Sequence, residues 1–102
     1  MSMTAAEIAG VVGKDQQPWW PPLMWGDGEW WTRAEAKHVM PDLAELAFIG
    51  AAVRELAKRK FFVGTHPMEW WHCGHHWHTR SSEHSESPLP LLVAALNESE
   101  GA

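Results

Sequence analysis

The sequence contains no tyrosine, a single cysteine and no long apolar run. Because Cys73 is alone, a disulfide within the chain is excluded. A membrane-spanning helix needs an apolar stretch of about 18 residues or more. None is present, so we expect no contact with a membrane. The opening segment, MSMTAAEIAG, lacks the basic start and apolar core of a secretory signal. Together these absences predict a cytoplasmic protein.

The chain also lacks the short motifs that mark common enzymes. It has no glycine-rich phosphate loop and no paired-carboxylate motif, and its 102 residues suit one domain. A cysteine–histidine pair could supply a nucleophile and a base, but it would need an orienting group and a substrate pocket, of which the sequence shows no sign. We therefore expect a binding protein and not an enzyme.

Tryptophan and histidine, in contrast, are abundant, with 8 and 7 residues. A buried tryptophan removes an area of about 200 Å² from water, which a small domain needs. The favoured interpretation is that most tryptophans build the core. The alternative is an aromatic platform for a protein partner. Candidate partner contacts are Trp19, Trp20 and Trp25.

The formal net charge is −5 at pH 7, which opposes nonspecific attraction to nucleic acid. The charge is unevenly spread, because four basic residues lie within seven positions and glutamates concentrate near the C-terminus. A basic face and an acidic tail can coexist, so DNA contact stays an alternative to protein contact. Candidate contacts to nucleic acid or a partner are Arg54, Lys58, Arg59, Lys60 and Arg80.

The first forty residues predict two short helices separated by an aromatic segment. The first covers residues 4–12, with Thr4 as N-cap and Glu7 completing a capping box. Residues 14–31 contain three prolines and a Gly-Asp-Gly turn, which indicates an aromatic hairpin or an irregular strap over the core. The second helix covers residues 32–40, where Thr32 could again act as a cap.

A long helix is predicted from Leu43 to Lys60, with Asp42 as its N-cap. Its apolar positions recur at helical spacing and predict one buried stripe. Gly50 either weakens this helix by about 1 kcal/mol or allows a neighbouring helix to approach closely. The stripe comprises Leu46, Ile49, Val53 and Leu56.

The C-terminal part predicts strands followed by a linker. Residues 61–79 are rich in histidine and tryptophan and indicate a hairpin, either turning tightly at Cys73-Gly74 or containing one straight strand. Residues 80–102 combine a linker composition with a short apolar segment and an acidic end. The expected fold is α+β and mainly α, with a three-helix core and a small C-terminal β-hairpin. Its single compact domain covers residues 1–79.

The predicted order of elements resembles that of winged helix-turn-helix domains over about residues 33–79. The match consists of the helix TRAEAKHVM, the turn at Pro41-Asp42 and the helix ending in VRELAKRKFFV. In that family the third helix enters the major groove and the hairpin wing touches the DNA backbone. The resemblance implies that the basic residues 54–60 contact DNA and that Gly64–Met68 forms the wing tip.

Three departures from that family favour protein contact over DNA contact. The insertion between the first two helices is long and full of tryptophan, the wing turn GTHPME has no arginine or lysine, and the chain is acidic. We therefore expect an accessory or regulatory factor with a protein partner. The alternatives are a DNA-binding regulator that uses helix 43–60, and a phage or viral assembly subunit that self-associates.

A cluster of histidines around the lone cysteine raises a further alternative, a zinc-stabilised interaction module. Imidazole nitrogen and thiolate sulfur are the natural ligands of Zn²⁺, although the spacing fits no common zinc module. The favoured interpretation is a hairpin in which histidines alternate with tryptophans and bind no metal. The candidate ligands are Cys73, His72, His75, His76 and His78.

Overall fold

A computed structural model describes residues 3–13, 17–65, 70–75, 78–83 and 87–100. For Thr65 and for residues 70–72, 75 and 78–83 it describes the backbone. Within these ranges three helices alternate with two antiparallel sheets. In chain order the elements are α1 (Ala5–Val12), β1 (Leu23–Gly26), β2 (Glu29–Thr32), β3 (His38–Val39), α2 (Pro41–Lys58), β4 (Phe62–Thr65), β5 (Trp70–His75), β6 (His78–Glu83) and α3 (Leu89–Glu100).

Helix α1 forms as its local signals predict. The Thr4 hydroxyl accepts a hydrogen bond from the Glu7 backbone N–H at 3.2 Å. At the other end Gly13 has a φ of 78°, a conformation that L side chains avoid, and its N–H closes the last turn on Ala9. The helix buries Ile8 against the rest of the core.

The aromatic segment forms a hairpin, one of the two structures predicted for it. Strands β1 and β2 pair antiparallel, with Gly26 opposite Glu29. The two residues between them, Asp27 and Gly28, have φ values of 53° and 75°. Positive φ at both central positions is the signature of the tight turn that joins twisted strands, and Asp-Gly is one of its preferred sequences.

The helix predicted at residues 32–40 is wrong, because that segment belongs to the same sheet. Strand β3 pairs with β2, placing Val39 opposite Trp30 and His38 opposite Trp31. Thr32 does cap, but it closes a turn and not a helix: its hydroxyl accepts from the Lys37 backbone N–H at 3.0 Å. A nine-residue helix is marginal by itself, so strand pairing decides the structure.

Helix α2 begins two residues earlier than predicted, and its buried face is different. Met40 occupies the N-cap position and Pro41 the first turn, so the predicted capping role of Asp42 is wrong. The predicted stripe is also wrong at Leu46, which is exposed, whereas Leu56 is buried as expected. The residues that the helix buries are Ala44, Glu45, Phe48, Ala52 and Leu56.

The predicted C-terminal hairpin is also wrong. Strand β5 pairs with β4 on one side and β6 on the other, giving a second three-stranded sheet. Cys73 lies within β5 opposite Val63 and Arg80, so of the two predicted alternatives the tight turn at Cys73-Gly74 is wrong, and the chain continues through these residues as a strand. Helix α3 then packs against α1, α2 and β5. The fold is therefore mixed α and β, with one sheet before α2 and one after it, and not a winged helix.

The core lies between the three helices and the first sheet, which is formed by β1, β2 and β3. Phe48 of α2 is its centre, with ring centroids 5.2 Å from Trp20 and 5.0 Å from Trp30. Trp30 is almost fully buried, and within the described part of the chain its indole Nε1 has no hydrogen-bond partner. The large aromatic rings give this short chain the buried area that a small domain needs.

Candidate interaction surface

The exposed side of α2 carries a continuous row of apolar and small residues. Leu43 and Leu46 are 60% and 63% exposed, which are high values for leucine. Successive helical residues are about 100° apart, so positions three, four and seven apart share one face. We call the following set the outer face of α2: the exposed residues Leu43, Leu46, Gly50, Arg54 and Ala57, with the half-buried Ala47, which also packs against the core, at its edge.

Contacts on the opposite side of the helix determine which face is turned outward. Phe48 is locked between two tryptophan rings, and Ala52 and Leu56 follow it into the core at helical spacing. Glu45 is also buried, and its Oε2 accepts a hydrogen bond from the Met3 backbone N–H at 2.9 Å. A buried carboxylate needs such a partner, so any rotation of α2 would break this bond and empty the core.

Gly50 lies at the middle of the outer face and leaves a shallow depression there. A Cβ added at this position would meet no atom within 4 Å. Nothing in the described part of the chain therefore requires glycine at position 50, where it costs about 1 kcal/mol of helix stability relative to alanine. A missing side chain at an exposed apolar position does allow another backbone to approach closely.

Opposite charges lie at the two ends of α2, on opposite flanks of the outer face. Asp42 lies in the first turn of α2, and Lys58 is the last residue of the helix. Both are exposed, as is Arg54 one turn before the end. Within the described residues none of the three makes an ion pair. The arrangement is also the one that the helix dipole favours.

Arg59, one of the predicted contact residues, is held inside the molecule. Its guanidinium lies 5.6 Å from the ring centroid of Trp19 and donates to the Leu96 carbonyl at 3.2 Å and the Ser99 hydroxyl at 2.6 Å. It also pairs with Glu55 at 3.2 Å and Glu100 at 3.6 Å. The contacts with Leu96, Ser99 and Glu100 join the C-terminal ends of α2 and α3.

The remaining predicted basic contacts lie apart from this network. Lys60 is exposed beyond the end of α2, with a φ of 67°. Arg80 lies in β6, where its backbone pairs with Cys73. The structure therefore brings Arg54, Lys58 and Lys60 together as exposed basic residues at one end of α2 and assigns Arg59 to internal packing.

The three tryptophans proposed as partner contacts have different environments. Trp20 is in the core, and Trp19 is half-buried, with its ring centroid 4.2 Å from that of Trp20. Trp25 is 39% exposed, although its ring also lies 5.4 Å from Trp30. Of the three, Trp25 is therefore the one placed to meet a partner.

A small cavity of about 170 Å³ opens between the C-terminal ends of α1 and α3. Its walls include Trp19 and Trp20 on one side and Asn97 and Glu100 on the other. Arg59, the cation closest to this aromatic pair in the described chain, already lies over Trp19. The cavity thus lies beside the Arg59 contacts inside the molecule. It is a weaker candidate for binding a macromolecular partner than the outer face of α2.

The histidine–cysteine cluster is described in part. Cys73 is buried, and its thiol donates to the Leu91 carbonyl of α3 at 3.9 Å. His72 and His75 lie in β5 and His78 in β6, with His75 opposite His78, while His76 lies outside the described residues. Over the part of the chain that is described, no group of three histidine, cysteine or acidic side chains could hold a metal ion. The zinc site stays a prediction.

Comparison with protein-family models, curated proteins and solved structures gives no match. No helix within the described ranges is both long and apolar enough to cross a membrane. The function is therefore inferred from the residues of this chain.

Sequence reasoning missed the outer face of α2 because it selected one apolar stripe where the helix has two. Leu43 lay outside the chosen stripe, and Leu46 was assigned to the core. The spacing from Leu43 through Ala47 and Gly50 to Ala57 carries the second stripe. Both stripes together identify α2 as a helix with two apolar faces, of which one is exposed.

Proposed function

We propose that this protein is a non-enzymatic accessory or regulatory factor that acts by protein–protein contact through the outer face of α2. The observation that carries this proposal is the pair of exposed leucines, Leu43 and Leu46, on a helix whose opposite face already fills the core. Single exposed apolar residues are common on protein surfaces, but a contiguous row rimmed by charges is typical of an interaction site.

The rest of the molecule supports a binding role. The cysteine thiol is buried and bonded to a backbone carbonyl, which is a poor environment for a nucleophile. A lone cysteine also suits a reducing compartment, so we place the protein in the cytoplasm. Met40, 58% exposed beside the start of α2, extends the apolar surface with a flexible side chain that adapts to a partner.

The experiment is site-specific photo-crosslinking in a native extract of the source cells. One protein carries the photoreactive group at Leu46, and a matched control carries it at Glu35, an exposed residue in the turn before β3. We expect protein adducts from position 46 that disappear when Leu43 is changed to glutamate. Equal labelling from both positions, or no protein adduct from position 46, would contradict the proposal.

A second candidate function, DNA binding, rests on the exposed basic residues at the end of α2. Arg54, Lys58 and Lys60 could contact phosphates, although the net charge of −5 opposes this. Binding to duplex DNA should then fall steeply with salt and weaken when Lys60 is changed to glutamine. No salt-dependent binding at micromolar protein concentrations would remove this candidate.

A further inference from the structure

We propose that the outer face of α2 binds a second copy of this chain, with the two α2 helices crossing antiparallel at Gly50. This inference rests on the proposed function and names the partner. A symmetric dimer uses the same patch on both subunits, so the patch must be complementary to itself when it is turned by a two-fold rotation. The outer face of α2 meets that condition in its shape, its apolar residues and its charges.

The residues on either side of Gly50 match at equal distances. Helix α2 runs from Pro41 to Lys58, so position 50 is near its centre. With a two-fold axis at Gly50, Leu43 faces Ala57 of the second copy, a large residue against a small one. Leu46 faces Arg54, whose aliphatic stem can cover a leucine while its guanidinium stays in water.

The charges distinguish this antiparallel arrangement from a parallel one. Asp42 and Lys58 are each eight positions from Gly50, so the two-fold rotation brings Asp42 of one copy level with Lys58 of the other. Their side chains point about 80° to opposite sides of Gly50, so the two charges meet when the helices cross obliquely, at the common packing angle of about −50°. A parallel pair would place each of these charges against itself, and like charges across an interface are strongly disfavoured. Exposed charges of opposite sign at the two ends of one helix thus favour a second copy as the occupant.

Gly50 allows the close approach that such a crossing needs. Helices usually pack with their axes 8–10 Å apart, depending on the side chains at the contact. Because position 50 has no side chain and open space above it, the two backbones can come to the short end of that range. Leu43 and Leu46 of each copy then close over the crossing point from both sides.

The first test measures self-association of the purified chain by analytical ultracentrifugation across micromolar to near-millimolar concentrations. We expect a reversible dimer, weakened about tenfold or more by Leu46→Lys, since that change places a second positive charge opposite Arg54 of the other copy. Met24→Lys is the matched control, because Met24 is an exposed apolar residue on β1. A chain that stays monomeric throughout, or equal effects of the two changes, would overturn the inference.

Exchanging the charges of Asp42 and Lys58 tests whether these two residues pair across the dimer. The test compares two variants, so it does not rely on a single loss of binding. Asp42→Lys alone should weaken the dimer, and adding Lys58→Asp to it should restore the dimer, because each ion pair then forms with its charges reversed. Failure of the double variant to recover dimer formation, with both variants folded by circular dichroism, would contradict the antiparallel register.

Crosslinking tests the crossing point directly. A residue on a two-fold axis lies beside its own copy, so oxidation of Gly50→Cys should give a covalent dimer. In the antiparallel arrangement the same change at Ala57 places its two copies roughly 21 Å apart, too far for a disulfide. Crosslinking at both positions would indicate parallel helices, and crosslinking at neither would show that α2 does not self-associate.

These outcomes separate the inference from the proposed function. A monomeric purified chain whose position 46 still crosslinks to another protein in the extract would refute the dimer and leave the proposed function standing. A monomeric chain that also gives no adduct from Leu46 would refute both.

Discussion

The network around Arg59 leads to a measurable prediction about stability. Changing Arg59 to glutamine removes two charge-assisted hydrogen bonds, to the Leu96 carbonyl and the Ser99 hydroxyl, and two ion pairs. It also removes the cation from the face of Trp19, where the guanidinium lies 5.6 Å from the ring centroid. Apart from the ion pair with Glu55, which lies within α2, these contacts join the end of α2 to α3 and to Trp19, so their loss should destabilise the whole fold.

The size of the effect follows from the individual contacts. A hydrogen bond to a charged group contributes about 1.5–3 kcal/mol, a partly exposed ion pair up to about 1 kcal/mol and a cation–π contact about 0.5–1 kcal/mol. Contacts made by one side chain are not additive. We therefore expect the free energy of unfolding to fall by about 2–3 kcal/mol, which lowers Tm by roughly 10–20 °C in a domain of this size.

The control variant is Lys60→Gln, which removes the same charge one position further along. Lys60 is exposed and forms no ion pair within the described chain, so its change should stay within about 0.5 kcal/mol. Urea and thermal unfolding, followed by circular dichroism at one fixed protein concentration, measure both variants. Equal stabilities of the two variants would refute the internal role of Arg59 and return it to the candidate binding residues.

Three further predictions concern the core, the cysteine and the first helix. Phe48→Ala should lower the free energy of unfolding by about 3–5 kcal/mol and change tryptophan fluorescence, because Phe48 packs against two indole rings; an unchanged urea midpoint would contradict this. The buried Cys73 thiol should react with a thiol-specific dye at the rate of unfolding, and immediate labelling of the native protein would show that it is accessible. Gly13→Ala should destabilise by about 1 kcal/mol or more, since its φ is 78°. Gly10→Ala, inside α1 with open space around it, should stabilise by about 0.5–1 kcal/mol, and the opposite order would contradict the described end of α1.

The elements that sequence predicted well are those whose signals are local. In helix α1, Thr4 caps the first turn through the Glu7 backbone N–H and Gly13 ends the helix, both as predicted. The side-chain half of the capping box, from Glu7 back to Thr4, stays a prediction. The hairpin turn at Asp27-Gly28 is similarly determined by the conformational preferences of two residues. Such features depend on a few neighbouring backbone groups, so no distant part of the chain has to be known.

The predictions were wrong where the local sequence fits two structures equally well and contacts with distant residues decide which one forms. Thr32 begins a pattern that suits a helix cap, but it also suits a turn, and pairing of Trp30 with Val39 selects the turn. Helix α2 has apolar residues on two faces, and the rings of Trp20 and Trp30 on Phe48 decide which one is buried. Periodicity identifies the helix but cannot choose its inner face.

The candidate surface was hidden by the same ambiguity, and the basic cluster near it combines two roles. Arg59 faces inward, to α3 and Trp19, whereas Arg54 and Lys58 are exposed on α2 with no ion pair in the described chain. A variant that neutralises the whole cluster would therefore lose stability and binding together, and the loss of binding could be misread as loss of a contact. Separate variants resolve this, since Arg59 should control the unfolding midpoint and Lys58 the association constant. Four neighbouring charges that look equivalent in the sequence thus have different environments: Arg59 contacts α3 and Trp19, whereas the other three are exposed, and we predict that only these three affect binding without affecting stability.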